Sequence, residues 1–419
     1  MSIQISTLSS GLRIITDPID NVESVAIGIY AAVGTRHEDM PENGIAHMVE
    51  HMLFKGTPTR SAKDIVDIIE GAGGHMNAYT SREVTSYHIH CLKEQAPLAL
   101  EILSDMVQNP TMPEDEISRE RNVILQEIGM VNDSPDELVF DLFQENAFPG
   151  QALGAPILGR ENIIRALSRE QMMHYVQTHY AADNIVVSAA GNVCHDDIVL
   201  WAEKFFRNLP EKHSSGTTAA RYKGGEMRIE RKLEQAHIVL GFEGMGRDSK
   251  RVDAVRALSM VLGGGMSSRL FQEIREKRGL AYSVYSFQYP YADSGLFGIY
   301  AGTDPERLQE LVPAITDVLR GLADTLADEE IVKAKTLMRS NFLMSRESMM
   351  TRADQQAKHL LHFGKALDVQ KRLQKIEALD RHAIIQAAND IFVRPPTLTA
   401  LGPVSALEPY DKIEKRLAA

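Results

Sequence analysis

The sequence predicts an α+β protein built from two homologous domains, each an antiparallel sheet with helices packed on one face. The chain has 419 residues, which exceeds the length at which a single hydrophobic core usually stops growing. Strand-like and helix-like stretches follow one another without the strict alternation of a parallel α/β fold. Two separate segments of the first half also recur in the second half at nearly one offset, as expected for an internal duplication.

The first half contains short stretches rich in apolar and β-branched residues and longer stretches with helical periodicity. The predicted strands cover residues 24–32, 85–92 and 185–190. The predicted helices cover residues 62–71, 97–108 and 115–131.

The duplication is visible in two pairs of segments. A strand, a turn and an amphipathic helix that start at Tyr87 recur from Phe297, 210 positions later. The helix and strand that follow Leu167 recur after Leu379. A polar stretch without apolar periodicity separates the two copies and is typical of a linker. The predicted organisation is a first domain over residues 1–210, a linker over 211–227 and a second domain over 228–419.

Composition argues against several classes of protein. The chain has 45 Lys and Arg against 57 Asp and Glu, a net charge of −12, whereas a nucleic-acid binder needs a basic face to contact phosphates. No apolar run approaches the ~20 residues of a membrane-spanning helix, and the N-terminus lacks the pattern of a secretory signal. Two cysteines are too few for a disulfide scaffold. We therefore expect a cytoplasmic protein without a nucleic-acid or membrane partner.

The charge is unevenly distributed. Residues 1–210 contain 14 Lys and Arg against 30 Asp and Glu, so this half carries −16 of formal charge. Such a field could attract basic ligands. Both halves could equally be ordinary solvated surfaces, and the sequence leaves both interpretations open.

The most informative segment is a predicted helix near residue 50. Asn43 could cap its start and Gly56 lies just beyond its end. His47, Glu50 and His51 fall at positions i, i+3 and i+4, so they share one face. Two imidazoles at this spacing can bind one Zn²⁺, with the glutamate beside a metal-bound water; H-x-x-E-H is the inverzincin pattern. The alternative is a helix with two incidental histidines and a solvated glutamate.

A hydrolytic zinc site needs three protein ligands and one open position. The long predicted helix over residues 115–131 carries Glu116, Glu120 and Glu127 on one face. From their position alone, each is a candidate ligand or an ordinary surface charge.

Three segments together resemble the pitrilysin (insulinase) family of zinc metallopeptidases, in its processing-peptidase-like branch. They are HMVEHMLFKGT from His47, NAYTSRE from Asn77 and ERNVILQE from Glu120. In that family the third ligand is a glutamate about 76 residues after the second histidine, which is Glu127 here. The resemblance implies one Zn²⁺ per chain on His47, His51 and Glu127.

The resemblance also implies roles for other residues. Glu50 would act as the general base, and Glu120 would support the site without binding metal. Asn77 would contact substrate from an edge strand along which a peptide adds as an extra β-strand. In the second half, Arg275 and Tyr282 match an arginine and a tyrosine that reach the substrate in active members.

The second half contains no H-x-x-E-H pattern near the positions equivalent to the motif. At an offset of 210, His47 and His51 fall on Ala257 and Val261, which cannot bind zinc. We therefore expect the second domain to be metal-free.

These features predict a zinc-dependent endopeptidase for peptides or for unfolded, presequence-like segments, with basic residues favoured in the substrate. The family encloses its substrates in a chamber between two such chains, which implies a homodimer; a heterodimer is the alternative partner arrangement. The competing hypothesis is a non-catalytic or partner-dependent subunit of a heterodimeric peptidase-like assembly.

Overall fold

A computed structural model describes residues 2–210, 212 and 216–418. The β-strands are β1 (Gln4–Thr7), β2 (Arg13–Pro18), β3 (Ser24–Ala31), β4 (His75–Thr80), β5 (Thr85–Leu92), β6 (Ile185–Gly191), β7 (Gly225–Glu230), β8 (Ala236–Glu243), β9 (Ser283–Pro290), β10 (Gly295–Thr303) and β11 (Thr397–Gly402). The α-helices are α1 (Ile45–Leu53), α2 (Ala62–Gly71), α3 (Ala96–Gln108), α4 (Glu114–Asn132), α5 (Pro135–Ala147), α6 (Glu161–Ala166), α7 (Arg169–His179), α8 (His195–Phe205), α9 (Val252–Gly263), α10 (Leu308–Arg320), α11 (Leu322–Thr325), α12 (Asp328–Ser345), α13 (Met349–Phe363), α14 (Val369–Glu377), α15 (Arg381–Phe392) and α16 (Tyr410–Ala418).

The strands form two sheets of the same design. The first has the order β1-β2-β6-β3-β5-β4 and the second the order β7-β11-β8-β10-β9. In each sheet the last strand in sequence pairs antiparallel with one neighbour (β6 with β3, β11 with β8) and parallel with the other (β6 with β2, β11 with β7). The predicted α+β class with two similar domains is confirmed, and each sheet contains one parallel pair in addition to its antiparallel pairs.

The chain folds into two compact units that are not continuous in sequence. The first unit contains the chain up to Gly129, Ala155–Thr218 and Leu343–Asp368. The second contains Met130–Gly154, Ala219–Phe342 and the chain from Val369 onward. Each unit therefore includes a helical segment from the other half of the sequence, α13 in the first and α5 in the second, which the linear boundaries 1–210 and 228–419 do not describe.

Part of the predicted linker over 211–227 is regular structure. Residues 225–227 begin strand β7, which pairs with β11. Residues 211 and 213–215 of the predicted linker lie outside the described residues.

The first sheet is buried on both faces. Ile14 and Val187 point into a large core shared with α1, α3 and α8. Their neighbours Ile15 and Val186 point to the opposite face, where they contact α13. Helices therefore cover both faces of this sheet, whereas the sequence predicts helices on one face. The physical reason is that β3 and β6 are buried along almost their whole length, so their second face also has to be shielded from water.

A buried ion cluster fixes α13 on this sheet. Asp17, at the end of β2, accepts hydrogen bonds from Arg346 at 2.8 Å and from Arg352 at 2.5–2.9 Å. The Asp17 side chain is 4% exposed and that of Arg346 is 8% exposed. Ser188 of β6 also donates a hydrogen bond to the Ala353 carbonyl in α13. These contacts supply the polar partners that groups buried between a helix and a sheet require.

The second sheet is covered in the same way by α5. Val139 and Phe143 of that helix pack against Val239 and Leu401 of the sheet. Asn146 donates hydrogen bonds to the Leu398 carbonyl and to the Thr399 hydroxyl. The two units thus share one architecture, with a helix from the other half of the sequence on the second face of each sheet.

We predict that Asp17→Ala destabilises the first unit by about 3–5 kcal/mol, because removing one partner of a buried ion pair leaves the other charge uncompensated. Denaturant unfolding of the purified chain measures the change. Asp67→Ala is the matched control, since Asp67 pairs with Lys63 on the exposed surface of α2 and such pairs contribute little. Equal midpoints for the two variants would show that the Asp17 cluster does not hold α13 in place.

Candidate metal centre

The helix that carries the two histidines begins at a buried carboxylate. The Glu38 carboxylate accepts hydrogen bonds from the backbone N–H groups of Gly44 (3.0 Å) and Ala46 (2.9 Å) and from the side-chain amide of Asn43 (3.0 Å). Glu38 therefore caps α1, and the expectation that Asn43 does so is wrong; the Asn43 side chain instead bonds Glu38 and the Pro156 carbonyl. Burial raises the pKa of Glu38 to about 7, although all three hydrogen bonds favour its ionised form.

Gly44 allows the chain to enter this helix. Its φ is +97°, and a Cβ at this position would lie 2.7 Å from the Cα of Gly159. Glycine is required there for both its conformation and its lack of a side chain.

Helices α1 and α4 bring three potential metal ligands together. One ligand atom from each of His47, His51 and Glu127 lies within 4.8 Å of the others. Glu127 Oε2 is 3.9 Å from Nε2 of His47 and 3.9 Å from Nε2 of His51. Glu116 does not join them and pairs with Arg119 instead.

The three side chains fit a zinc ion chemically. Ligand atoms about 2.1 Å from a tetrahedral ion lie about 3.4 Å from one another, close to these separations. Glu127 Oε2 is buried and has no hydrogen-bond partner among the described residues, as expected for an oxygen placed to bind a cation. Burial and the neighbouring His51 lower the pKa of His47 to about 3, so its ring is neutral, the form that binds metals.

Glu120 holds the second histidine from behind. His51 Nδ1 donates to Glu120 Oε2 at 2.9 Å, which leaves Nε2 directed toward Glu127. Lys55 Nζ lies 2.5 Å from the other oxygen of Glu120. Burial favours the neutral form of Glu120, but its bonds to His51 and Lys55 outweigh burial and lower its pKa. Burial likewise lowers the pKa of His51, and the hydrogen bond to Glu120 with the surrounding carboxylates raises it overall. A carboxylate behind a ligating histidine is the usual support of a metal site.

Glu50 lies between the histidines in sequence and contacts the edge of the sheet. Its Oε2 accepts a hydrogen bond from the Thr80 hydroxyl at 2.5 Å. Burial raises the pKa of Glu50, with a further contribution from the charge of Glu127, while the Thr80 bond and His51 act in the opposite direction. A carboxylate with a raised pKa is suited to accept and return a proton near neutral pH.

Asn77 lies on β4, the edge strand of the first sheet, and is exposed. Its side-chain oxygen accepts a hydrogen bond from the Ala78 N–H at 2.8 Å. That N–H is therefore directed away from β5. Alternate residues of β4 present backbone groups at the free edge, as in any antiparallel edge strand.

Arg275 and Tyr282 lie together in the second unit. Arg275 belongs to a π-helical segment, Phe271–Lys277, a rare conformation that often occurs at functional sites. Its guanidinium carbon is 4.6 Å from the centre of the Tyr282 ring and 4.7 Å from that of Phe271. The Tyr282 side chain is largely exposed and that of Arg275 is 34% exposed, so a ligand could reach part of each group.

The described part of the second unit holds no comparable set of metal ligands. The helix in the place of α1 is α9, where Ala257 and Val261 are buried apolar residues.

No helix in the described ranges is both long and apolar enough to cross a membrane.

Known proteins match this chain along most of its length. A family model described as insulinase (peptidase family M16) matches residues 13–161, and one described as the peptidase M16 inactive domain matches residues 166–338. A Rickettsia bellii protein named an uncharacterized zinc protease is 42% identical over 400 residues, which cover 95% of this chain and 97% of that protein. The chain belongs to the insulinase family of peptidases, M16.

Solved structures show the same fold for this M16 chain. A protease from Helicobacter pylori has a TM-score of 0.88 and 24% identity, over 96% of this chain and 99% of the other. A Pseudomonas fluorescens structure described as a peptidase M16 inactive domain has a TM-score of 0.90 and 22% identity, over 98% and 100%.

Three further residues, to which the sequence gives no role, support the site. Glu38 caps the histidine helix, Lys55 pairs with Glu120, and Thr80 bonds Glu50. Lys55 and Thr80 lie inside the segments that carry the family resemblance, which was the available signal. Nothing in the local sequence distinguishes Glu38 from the neighbouring acidic residues, because its partners are reached only through the turn before α1.

We predict that Glu38→Ala lowers the free energy of unfolding by about 1–3 kcal/mol, because two backbone N–H groups and an amide lose their buried acceptor. Thermal or denaturant unfolding measures the effect. Glu23→Ala is the control, since Glu23 forms an exposed pair with Lys93 and should leave the midpoint nearly unchanged. A Glu38 variant as stable as the Glu23 variant would contradict the capping role.

Proposed function

We propose that this M16 chain is a zinc-dependent endopeptidase. The observation that carries the proposal is the convergence of His47, His51 and Glu127, with Glu50 on the same helix as the two histidines. The names of the curated relatives, which include zinc protease, support the metal and the reaction class. One zinc per chain follows from the single ligand set in the described residues.

Each residue has a defined task in this proposal. Zinc bound to His47, His51 and Glu127 would supply Lewis acidity toward the scissile carbonyl and a lowered pKa for its water. Glu50 would accept a proton from the attacking water and deliver it to the leaving amine. Glu120 would keep the ring of His51 oriented and in the tautomer that presents Nε2. Arg275 and Tyr282 would donate hydrogen bonds to the substrate as negative charge develops on its carbonyl oxygen.

The edge strand β4 supports extended peptides as the substrates. A peptide could pair with the free backbone groups of β4, beginning at Ala78 N–H once Asn77 releases it. Only an extended segment can pair in this way, so unfolded or presequence-like segments are favoured over folded proteins. The charge of −16 on residues 1–210 favours basic segments among them.

We predict that Glu50→Gln retains about one zinc per chain and loses about 10²–10⁴-fold in peptide-cleavage rate, because the carboxylate moves a proton and is not a ligand. Elemental analysis and cleavage of an unfolded peptide test the two parts separately. His51→Ala is the comparison, since it should lose zinc and activity together. Loss of zinc from Glu50→Gln would contradict this division of roles.

A partner-dependent or non-catalytic subunit is the competing function. The inactive-domain description of the match over residues 166–338 fits it, although that half is expected to be metal-free in an active enzyme as well. Assay of the purified chain alone separates the two. Cleavage that requires zinc and Glu50 supports the enzyme, whereas a zinc-loaded but inactive chain supports the competing function.

We further propose that two chains form the active assembly as a homodimer, in which the Tyr282 of one chain serves the zinc half of the other. A mixture of Glu50→Gln and Tyr282→Phe chains, each nearly inactive alone, should then recover about a quarter of wild-type activity, because mixed dimers contain one intact site. A mixture of Glu50→Gln with His47→Ala chains is the control and should recover none. No recovery in the first mixture, with chain exchange verified, would contradict this arrangement.

A further inference from the structure

Few hydrogen bonds fix the orientation of the Glu50 carboxylate. Among the described residues, the Thr80 hydroxyl provides its only hydrogen bond, from Oγ1 to Oε2 at 2.5 Å. His51, by contrast, is held by Glu120, which is in turn held by Lys55. The orientation of the Glu50 carboxylate therefore depends on one neighbouring side chain.

Thr80 itself is firmly placed. It is the last residue of β4 and lies opposite Thr85 in β5. The turn that follows is closed by the Ser81 N–H to Val84 carbonyl bond (2.9 Å) and by the Val84 N–H to Ser81 hydroxyl bond (3.0 Å).

The tip of this hairpin is also tied to the segment that follows β3. The Thr35 N–H donates to the Ser81 carbonyl at 3.2 Å, and the Arg36 N–H donates to the Arg82 carbonyl at 2.9 Å. The side chains of Arg36 and Glu83 form a buried ion pair at 2.6 Å. A hydroxyl on such a scaffold has a fixed position, which is what a positioning contact requires.

We propose that Thr80 is a positioning residue that orients the Glu50 carboxylate for proton transfer, a role that rests on the proposed peptidase function. With Oε2 bonded to the hydroxyl, Oε1 would be the oxygen that accepts the proton, since it has no hydrogen bond among the described residues. Proton transfer requires the donor and acceptor atoms within hydrogen-bond distance, and small displacements of a reacting group lower rates steeply. Thr80 acts only through Glu50 and makes no contact with the three metal ligands in the hydrogen bonds of the described residues.

The neighbouring Tyr79 provides a matched control on the same strand. Its hydroxyl donates a hydrogen bond to Asp354 of α13, and Lys358 of that helix lies over its ring. Tyr79 therefore helps to place β4 without contacting Glu50. Tyr79→Phe removes a hydroxyl from the strand next to Thr80 and tests the position of the strand separately from the contact with Glu50.

The experiment compares Thr80→Val, which is nearly isosteric but has no hydroxyl, with Thr80→Ser, which restores one. Zinc content, thermal unfolding, kcat and KM are measured for the full-length chain with an unfolded peptide as substrate. We expect Thr80→Val to lower kcat about 10–100-fold with KM within about twofold, because it removes a hydrogen bond to a charged group that matters in the transition state. Thr80→Ser and Tyr79→Phe should stay within about threefold of wild type in kcat, and all variants should bind the same amount of zinc.

Four results would overturn the inference. Equal kcat values for Thr80→Val and Thr80→Ser, with Glu50→Gln inactive, would exclude the positioning role and leave the proposed function intact. A Tyr79→Phe defect as large as that of Thr80→Val would assign the effect to the strand and not to the hydroxyl. A wild-type chain that cleaves no peptide, or a Glu50→Gln chain as active as wild type, would overturn the proposed function and the role of Thr80 with it.

Discussion

Strands β3 and β6 are buried on both faces, and this burial determines much of the first unit. A sheet with two apolar faces needs a helix layer on each side. The first half of the sequence supplies one layer, with α1, α3 and α8. The other layer is α13, fixed by the Asp17 ion cluster. Helix α1, which carries the two histidines, thus packs on a sheet whose opposite face is covered by a segment from the second half of the sequence.

The candidate ligands are oriented by residues that do not themselves belong to the ligand set. Each ligand side chain must present the correct atom to a metal ion, so its orientation matters. The orientation of His51 comes from Glu120 and Lys55, and the start of α1 is set by Glu38 beneath Gly44. These carboxylates are largely buried, where electrostatic and hydrogen-bond interactions are stronger than in water. Hydrogen-bond donors outweigh the cost of burial at Glu120, whose pKa is lowered, but only reduce that cost at Glu38, whose pKa is raised.

The two units share a sheet order and differ in chemistry. The fold depends on apolar residues, which both units have, and not on the three candidate ligands, which among the described residues only the first unit has. In the second unit Ala257 and Val261, which lie 210 residues after His47 and His51 in the sequence, pack into the core. That unit has a partly exposed Arg275 inside a π-helical segment and a largely exposed Tyr282 against it, two groups that could contact a ligand.

The local sequence was sufficient to predict the elements with clear apolar periodicity and the motif with fixed residue spacing. Helix α2 and strand β5 have the predicted bounds, and the H-x-x-E-H spacing alone places His47, Glu50 and His51 on one helical face. The family resemblance added Glu127, and the structure brings it within 4.8 Å of the two histidines.

Tertiary structure alone decided which carboxylate caps α1, which hydroxyl holds Glu50 and which helix covers the second face of each sheet. These contacts join residues that are distant in sequence, as Glu50 and Thr80 are, or that lie on either side of a turn. Periodicity in the sequence indicates only which face of a helix or strand a residue lies on. The partner that packs against that face depends on how the whole chain folds.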